Sequence, residues 1–132
     1  MAEQKIAGET IIEDEVVASI VGIAAMEVEG VAHLGKASIR RSLTERLAGT
    51  GTKARTGVEV EVGKKEAIVD VTLGVIYGFN IPNIATDVRK KVASRLLEIT
   101  GLVAKEINVD VASIEVPAKM LEKVGKQRPK VE

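Results

Sequence analysis

Histidine and cysteine, which supply many acid–base, nucleophilic and metal-binding groups in proteins, are almost absent from this sequence. The chain has one histidine, His33, and no cysteine. A histidine relay, a thiol nucleophile and a cysteine-ligated zinc site are therefore excluded, and we expect His33 to lie in a loop. The segment AGTGTK at residues 48–53 lacks the G-x-x-x-x-G-K-S/T spacing of a phosphate-binding loop, so we interpret it as a flexible linker.

Carboxylates at alternating positions of three strand-like segments are the remaining candidates for chemistry. They are Glu59, Glu61, Asp70, Glu106 and Asp110. Alternation places all five on the outward face of a sheet, where carboxylates bind metal ions, act as acids and bases, or keep the surface solvated. Nothing in the spacing puts two of them in a cleft. We favour a solvated face over docking of basic segments, and both over catalysis, and we expect no enzyme, no cofactor and no metal site.

The apolar pattern predicts an α+β domain with element order β-α-β-β-α-β. A short strand at residues 10–12 precedes a helix that Asp14 caps and Gly30 ends. The core stripe of this helix contains Val17, Val21, Ala24 and Val28. We expect a two-layer sandwich in which a mostly antiparallel sheet carries both long helices on one face.

The second half of the predicted fold is a hairpin, a helix and a last strand. In the hairpin, Val58 to Val62 and Val69 to Val75 alternate with polar residues, so one face is buried. Asn80 caps the second helix, Pro82 lies in its first turn and Gly101 ends it. Its predicted core stripe contains Ile81, Ile84, Val88, Val92, Leu96 and Ile99, and the inward residues of the last strand are Ile107, Val109 and Val111.

Tyr77 and Phe79, the only aromatic residues of the chain, lie within three positions of each other. Tyr77 continues the apolar alternation of its strand, so we expect it in the core with its hydroxyl near the edge. A ligand-contacting role for this pair is the alternative.

Charge divides the chain into unlike segments although the net charge is zero. Residues 1–32 carry seven acids against one lysine, residues 33–57 carry six bases against one acid, and the segment from residue 117 carries five bases against two acids. We expect a flexible N-terminus at residues 1–7 and one domain at residues 8–116. Residues 33–57 form a basic loop in which Ile39, Leu43 and Leu47 suggest a short helix at 38–47, and residues 117–132 form a basic flexible tail.

Three runs of the sequence resemble the alkaline shock protein 23 family of Gram-positive bacteria. They are IIEDEVVASIVGIAAMEVEGV at residues 11–31, GVEVEVGKKEAIVDVTLGVIYGFNIPNIATDVRKKV at 57–92 and EITGLVAKEINVDVASI at 98–114. The resemblance covers about residues 8–116. Glu13 replaces the usual serine-like cap, and Ile76 replaces an acid before Tyr77-Gly78, which leaves an apolar side chain on the outer sheet face.

The resemblance implies an abundant, non-enzymatic cytoplasmic protein of cell-envelope homeostasis and stress response. It also implies assembly with further copies of itself and retention near the membrane by an anchored partner protein. No catalytic residues come with the family. The sequence shows no signal peptide and no apolar run of the roughly 20 residues that cross a bilayer.

We therefore expect a self-assembling scaffold or adaptor that acts through protein contacts and takes no small-molecule substrate. The candidate interaction residues are Ile39, Arg40, Arg41, Leu43, Arg46, Leu47, Ile76, Tyr77 and Phe79. The alternative is a regulator that binds nucleic acid through residues 36–55 and the tail. It is disfavoured because the predicted sheet face has acids and no outward aromatic platform.

Overall fold

A computed structural model describes residues 5–35 and 57–118. Within these ranges the elements are α1 (Asp14–Met26), β1 (Val31–Leu34), β2 (Val58–Val62), β3 (Glu66–Ile76), α2 (Ile81–Thr100) and β4 (Val103–Glu115). The α+β class with two helices and a four-stranded sheet is confirmed, but the element order is α-β-β-β-α-β. The predicted strand at 10–12 is wrong: residues 5–13 have no regular structure, and Ile6 and Ile11 are exposed.

β3 is the central strand because it pairs along both of its edges. One edge pairs along its whole length with β4, in parallel. The other edge pairs antiparallel with β2 over residues 67–71 and with β1 over residues 73–75, so β1 and β2 lie end to end. The strand predicted before α1 has no vacant place here, since β1 and β2 already cover this edge.

The β3–β4 pairing is parallel because α2 connects the two strands. A parallel pair needs a crossover connection, and a helix of 20 residues supplies it. α2 contacts β4, α1 contacts β1 and β2, and the two helices contact each other, so both cover the same sheet face. Asn80 caps α2 as predicted: its Oδ1 atom accepts a hydrogen bond from the Asn83 amide at 2.9 Å.

The core between the two layers is made of branched aliphatic side chains. β3 contributes Val69, Val71, Leu73 and Val75, and α2 contributes Ile84, Val88, Val92 and Leu96. Each such side chain stabilises the fold by roughly 1.5–3 kcal/mol relative to an exposed position. Ile81 and Ile99, which we expected in the α2 stripe, are exposed because they lie in its first and last turns.

α1 packs directly on the junction of β1 and β2. A Cβ atom at Gly22 would lie 3.1 Å from Leu34 Cδ1 and 3.8 Å from Val58 Cγ2, so the small residue permits this close packing. α1 ends earlier than predicted, at Met26, and begins after Glu13 without a side-chain cap, so Asp14 is not its cap. Gly30, with φ +99°, lies in the turn that leads into β1.

Candidate functional site

α1 carries apolar side chains on the side that faces solvent as well as on the side that faces the core. Val16, Ile20, Ile23 and Met26 follow one another at helical spacing on this outward side, and we refer to them as the α1 stripe. Ile20 is half-buried and packs against the edge of the core, and the other three are exposed, with Ile23 at 65%. α1 has only three polar residues, Asp14, Glu15 and Ser19, yet it has one layer of the domain beneath it and nothing described above it.

Acidic residues flank both ends of the α1 stripe. Glu13, Asp14 and Glu15 precede or begin the helix, and Glu27 and Glu29 follow it. Arg95 of α2 holds Glu27, with Nη2 to Oε1 at 3.2 Å, and its Nη1 atom lies 3.2 Å from Glu98 Oε1. The stripe is therefore an apolar surface with acids at each end, and the end at Glu13, Asp14 and Glu15 is the more negative because Glu27 is paired with Arg95. Such a surface suits a partner that is apolar along one side and basic around it.

The basic segment is joined to the domain at one point beside α1. Gly35 and Gly57 contact each other, and both bond to Thr72 of β3: the Gly35 amide donates to the Thr72 carbonyl, and the Thr72 amide donates to the Gly57 carbonyl, each at 2.7 Å. Both glycines have positive φ angles, +81° and +72°. Gly35 and Gly57, which bracket residues 36–56, therefore lie at a single site of the sheet, next to Leu34 and Val58 under α1.

Six of the nine predicted interaction residues lie outside the described residues. They are Ile39, Arg40, Arg41, Leu43, Arg46 and Leu47. The other three are at the end of β3: Ile76 is half-buried on the outer sheet face, where it pairs with Glu115, and Tyr77 and Phe79 follow it in a turn.

The prediction that Tyr77 belongs to the core is wrong. β3 ends at Ile76, the Tyr77 amide donates to the Glu115 carbonyl at 2.8 Å, and Gly78 turns the chain with φ +110°. The alternation of the strand therefore stops one residue too early to bury Tyr77, which is 54% exposed. The Phe79 ring lies close to Gly30 and remains 39% exposed. Both aromatic residues of the chain are thus accessible at this end of the domain.

The five predicted outward carboxylates do lie on the sheet face opposite the helices. Glu59, Asp70 and Asn108 occupy one row across the sheet, and Asn108 Nδ2 donates to Asp70 Oδ1 and to Glu106 Oε2, both at 2.9 Å. No three acidic or histidine side chains of the described ranges are arranged to hold a metal ion. The face is strongly acidic and carries no aromatic platform, which does not favour nucleic-acid binding.

His33 is a strand residue of β1 and not the loop residue we expected. Its ring lies over Gly74 of β3, with Nε2 3.3 Å from Ser113 Oγ and 3.4 Å from Glu115 Oε1, while Nδ1 is 3.2 Å from the Leu34 carbonyl oxygen. A serine–histidine–acid triad uses both ring nitrogens, one for the nucleophile and one for the carboxylate. Here Ser113 and Glu115 share one nitrogen, so the cluster is not a triad. The glycine inside a strand was the sequence signal for this close approach.

Comparison with known proteins assigns the chain to a family. The profile of the alkaline shock protein 23 family, described as having a cell envelope-related function, matches residues 2–116. The chain belongs to the alkaline shock protein 23 family. The resemblance that the three sequence runs indicated is thereby confirmed.

Relatives in this family come from Bacillus and Streptococcus. YqhY of Bacillus subtilis is 32% identical over 115 residues, which are 87% of this chain and 83% of YqhY. A Streptococcus pyogenes protein named stress response regulator gls24 homolog is 32% identical over 110 residues, 83% of this chain. The matched part is 60% of that regulator's length, so this chain spans about three fifths of it.

A solved structure shares the fold of this alkaline shock family chain. A variant of the MamM CTD matches with a TM-score of 0.51 at 15% identity, covering 76% of this chain and 95% of the MamM chain. At this identity the likeness shows the fold alone. No helix in the described part of the chain is both long and apolar enough to span a bilayer.

Proposed function

We propose that this protein is a non-enzymatic, self-assembling scaffold or adaptor that acts through protein contacts in the envelope-related role of its family. The α1 stripe is the observation that supports this most directly. A domain that leaves Val16, Ile23 and Met26 exposed on one helix face has a surface suited to burial by another chain.

The occupant we propose is the basic segment 36–55 of a second copy. Its sequence predicts an amphipathic helix at 38–47 with Ile39, Leu43 and Leu47 on one side, and it carries Arg40, Arg41 and Arg46. Such a helix would be about 15 Å long and α1 is about 20 Å long, so the two apolar sides match in length. The arginines would meet the acids at the ends of the α1 stripe.

This contact joins two different surfaces, so every copy offers one donor segment and one acceptor stripe. Contacts of this kind give closed rings or open filaments, depending on the rotation between copies. The apolar side chains supply most of the free energy, because each ion pair at a protein surface contributes only about 0–1 kcal/mol.

Sedimentation velocity of the full chain at low salt and at about 0.5 M salt tests the proposal, since charges are screened beyond roughly 4 Å at the higher concentration. We expect oligomers at low salt that become smaller at high salt. Ile23→Asp and Arg40→Glu/Arg41→Glu should each reduce assembly. Leu97→Asp, which changes a similarly exposed leucine of α2, is the matched control and should assemble as the wild type does.

A mixture of two defective variants tests the pairing itself. Glu13→Lys/Glu15→Lys reverses the acceptor charge and Arg40→Glu/Arg41→Glu reverses the donor charge, so mixing them should restore assembly that neither shows alone. A wild type that sediments as a monomer at low salt and high concentration contradicts self-assembly. Assembly that survives Ile23→Asp contradicts the α1 stripe as the acceptor.

The proposed location is cytoplasmic, with any membrane association made through an anchored partner protein and not through a span of this chain. The envelope-related description of the family supports the association. Flotation with vesicles of zwitterionic and of anionic lipid tests it. We expect the purified protein to remain with the unbound fraction, and co-flotation with either vesicle would contradict a partner-mediated association.

A further inference from the structure

The sheet face opposite the helices is one continuous acidic surface. Its members, assigned by the pairing registers, include Glu59, Glu61, Asp70, Glu106, Asp110 and Glu115. None of the residues that the pairing registers assign to this face within the described ranges is lysine or arginine, and His33 is the one histidine among them. We refer to these six carboxylates, together with the residues between them that point to the same side of the sheet, as the acidic face. Six like charges on one side of a small sheet repel one another and attract a basic partner.

The acidic face also has apolar and buried polar features. Ile68 and Ile76 are half-buried on it. Thr72, at its centre beside Asp110, is only 6% exposed, and its hydroxyl forms no hydrogen bond within residues 5–35 and 57–118. A buried hydroxyl without a partner is unfavourable, so a polar group brought onto this face would stabilise Thr72 as well as the carboxylates.

We propose that the acidic face is a docking surface for a basic peptide, and that its occupant is the C-terminal segment 119–132 of the same chain. This segment has five basic residues, Lys119, Lys123, Lys126, Arg128 and Lys130, against Glu122 and Glu132. It also has apolar residues, among them Leu121 and Val124, which match the half-buried isoleucines. The charges of the face and of the segment are opposite in sign, and both also carry apolar side chains, so the two are complementary.

The exit point of the chain places this segment at the edge of the acidic face. β4 ends at Glu115, whose side chain belongs to the face, and the described chain stops three residues later at Ala118. Fourteen residues in extended form reach at most about 46–50 Å. The face measures about 30 Å along β4 from Glu115 to Glu106, so the segment is long enough to cover it.

Docking within one molecule is favoured over docking to a neighbour because the attachment is short. A short tether gives an effective concentration on the order of millimolar, above that of other copies in a dilute solution. This inference is independent of assembly through the α1 stripe, since it concerns the opposite side of the molecule and is measured on dilute protein.

A spin label on the segment tests the proposal in the full chain. The protein has no cysteine, so Gln127→Cys gives a single labelling site. We expect paramagnetic loss of the backbone amide signals of residues 59–61 and 106–113 in the ¹⁵N spectrum. The signals of Thr86 and Ser94, on the solvent side of α2, should keep their intensity and serve as the internal control.

Two variants that replace charged side chains by neutral ones distinguish docking from chance proximity. Lys123→Gln/Lys126→Gln/Arg128→Gln/Lys130→Gln in the segment, or Glu106→Gln/Asp110→Asn on the face, should each restore the lost signals, as should about 0.5 M salt. Glu106→Gln and Asp110→Asn keep the shape of the side chains, and the four changes in the segment lie outside the residues that form the described fold, so folding is preserved. The proposal is overturned by unbroadened signals on the face, by equal broadening on α2, or by broadening that the variants do not change.

Mixing labelled and unlabelled copies identifies the occupant. Protein that carries the spin label but no ¹⁵N is added to ¹⁵N-enriched protein that carries no spin label. The total protein concentration is the same as in the experiment on the single labelled chain. We expect no broadening in this mixture. Broadening of the face signals here would assign the occupant to a second copy and would overturn docking within one molecule.

Discussion

The ring of His33 lies across the backbone of Gly74, with its Nε2 atom 3.3 Å from the hydroxyl of Ser113 on the other side of β3. Residues of three strands thus meet in one row of the sheet. The arrangement needs glycine at position 74, because a Cβ atom there would lie 2.6 Å from His33 Cε1 and 2.7 Å from Ser113 Oγ.

Gly74→Ala should therefore destabilise the domain by roughly 1–3 kcal/mol, since the added methyl must displace the imidazole or bend β3. Urea unfolding followed by circular dichroism measures the change. Gly63→Ala in the hairpin turn is the matched control, because its Cβ would meet no atom closer than 3.4 Å. The double variant His33→Ala/Gly74→Ala should be less destabilised than the sum of the two single changes. Additive effects would show that the ring is not the obstacle.

The contact between Gly35 and Gly57 predicts that alanine destabilises the domain more at Gly57 than at Gly78. Gly57 and Gly78 both have positive φ angles, +72° and +110°, so alanine is strained at either position. Only at Gly57 does a Cβ also crowd neighbours, at 2.7 Å from Gly35 Cα and 2.8 Å from the Thr72 carbonyl oxygen. Gly57→Ala should lower the free energy of unfolding by roughly 1–3 kcal/mol more than Gly78→Ala.

Thermal and urea unfolding of these two variants give the comparison. Equal losses would mean that the backbone conformation alone decides the cost. The two ends of the basic segment would then not be held together by close packing at Thr72.

A charge on the inner face of β3 should prevent folding. Val71 is 1% exposed at the centre of the core, and an unpaired buried carboxylate costs several kcal/mol, which is a large part of the stability of a small domain. Val71→Asp should lose its far-ultraviolet circular dichroism and its cooperative unfolding. Val103→Asp, at an exposed valine of β4, should change the stability by less than about 0.5 kcal/mol. A folded Val71→Asp variant would place that side chain outside the core.

Local patterns in the sequence determined the elements whose residues alternate or repeat over several turns. The period of two in β2 and β3 correctly assigned Val69, Val71, Leu73 and Val75 to the core, and the carboxylates between them to the outer face. The cap at Asn80 is likewise a local matter, since a side-chain oxygen has only to reach an amide three residues away. Family membership was also readable from the sequence, because its motifs are contiguous.

Only the tertiary structure decided which elements fill the edges of β3 and which side chains remain exposed. Residues 10–12 have the composition of a strand, but they do not pair with β3. One edge of β3 is occupied by β1 and β2, which lie end to end and meet where Gly35 and Gly57 bond to Thr72. Tyr77 continues the alternation of β3, yet the turn at Gly78 ends the strand before it. The sequence does not distinguish the exposed apolar residues of α1 from core residues. Periodicity shows where apolar residues recur, and the number of layers that cover them depends on the tertiary structure.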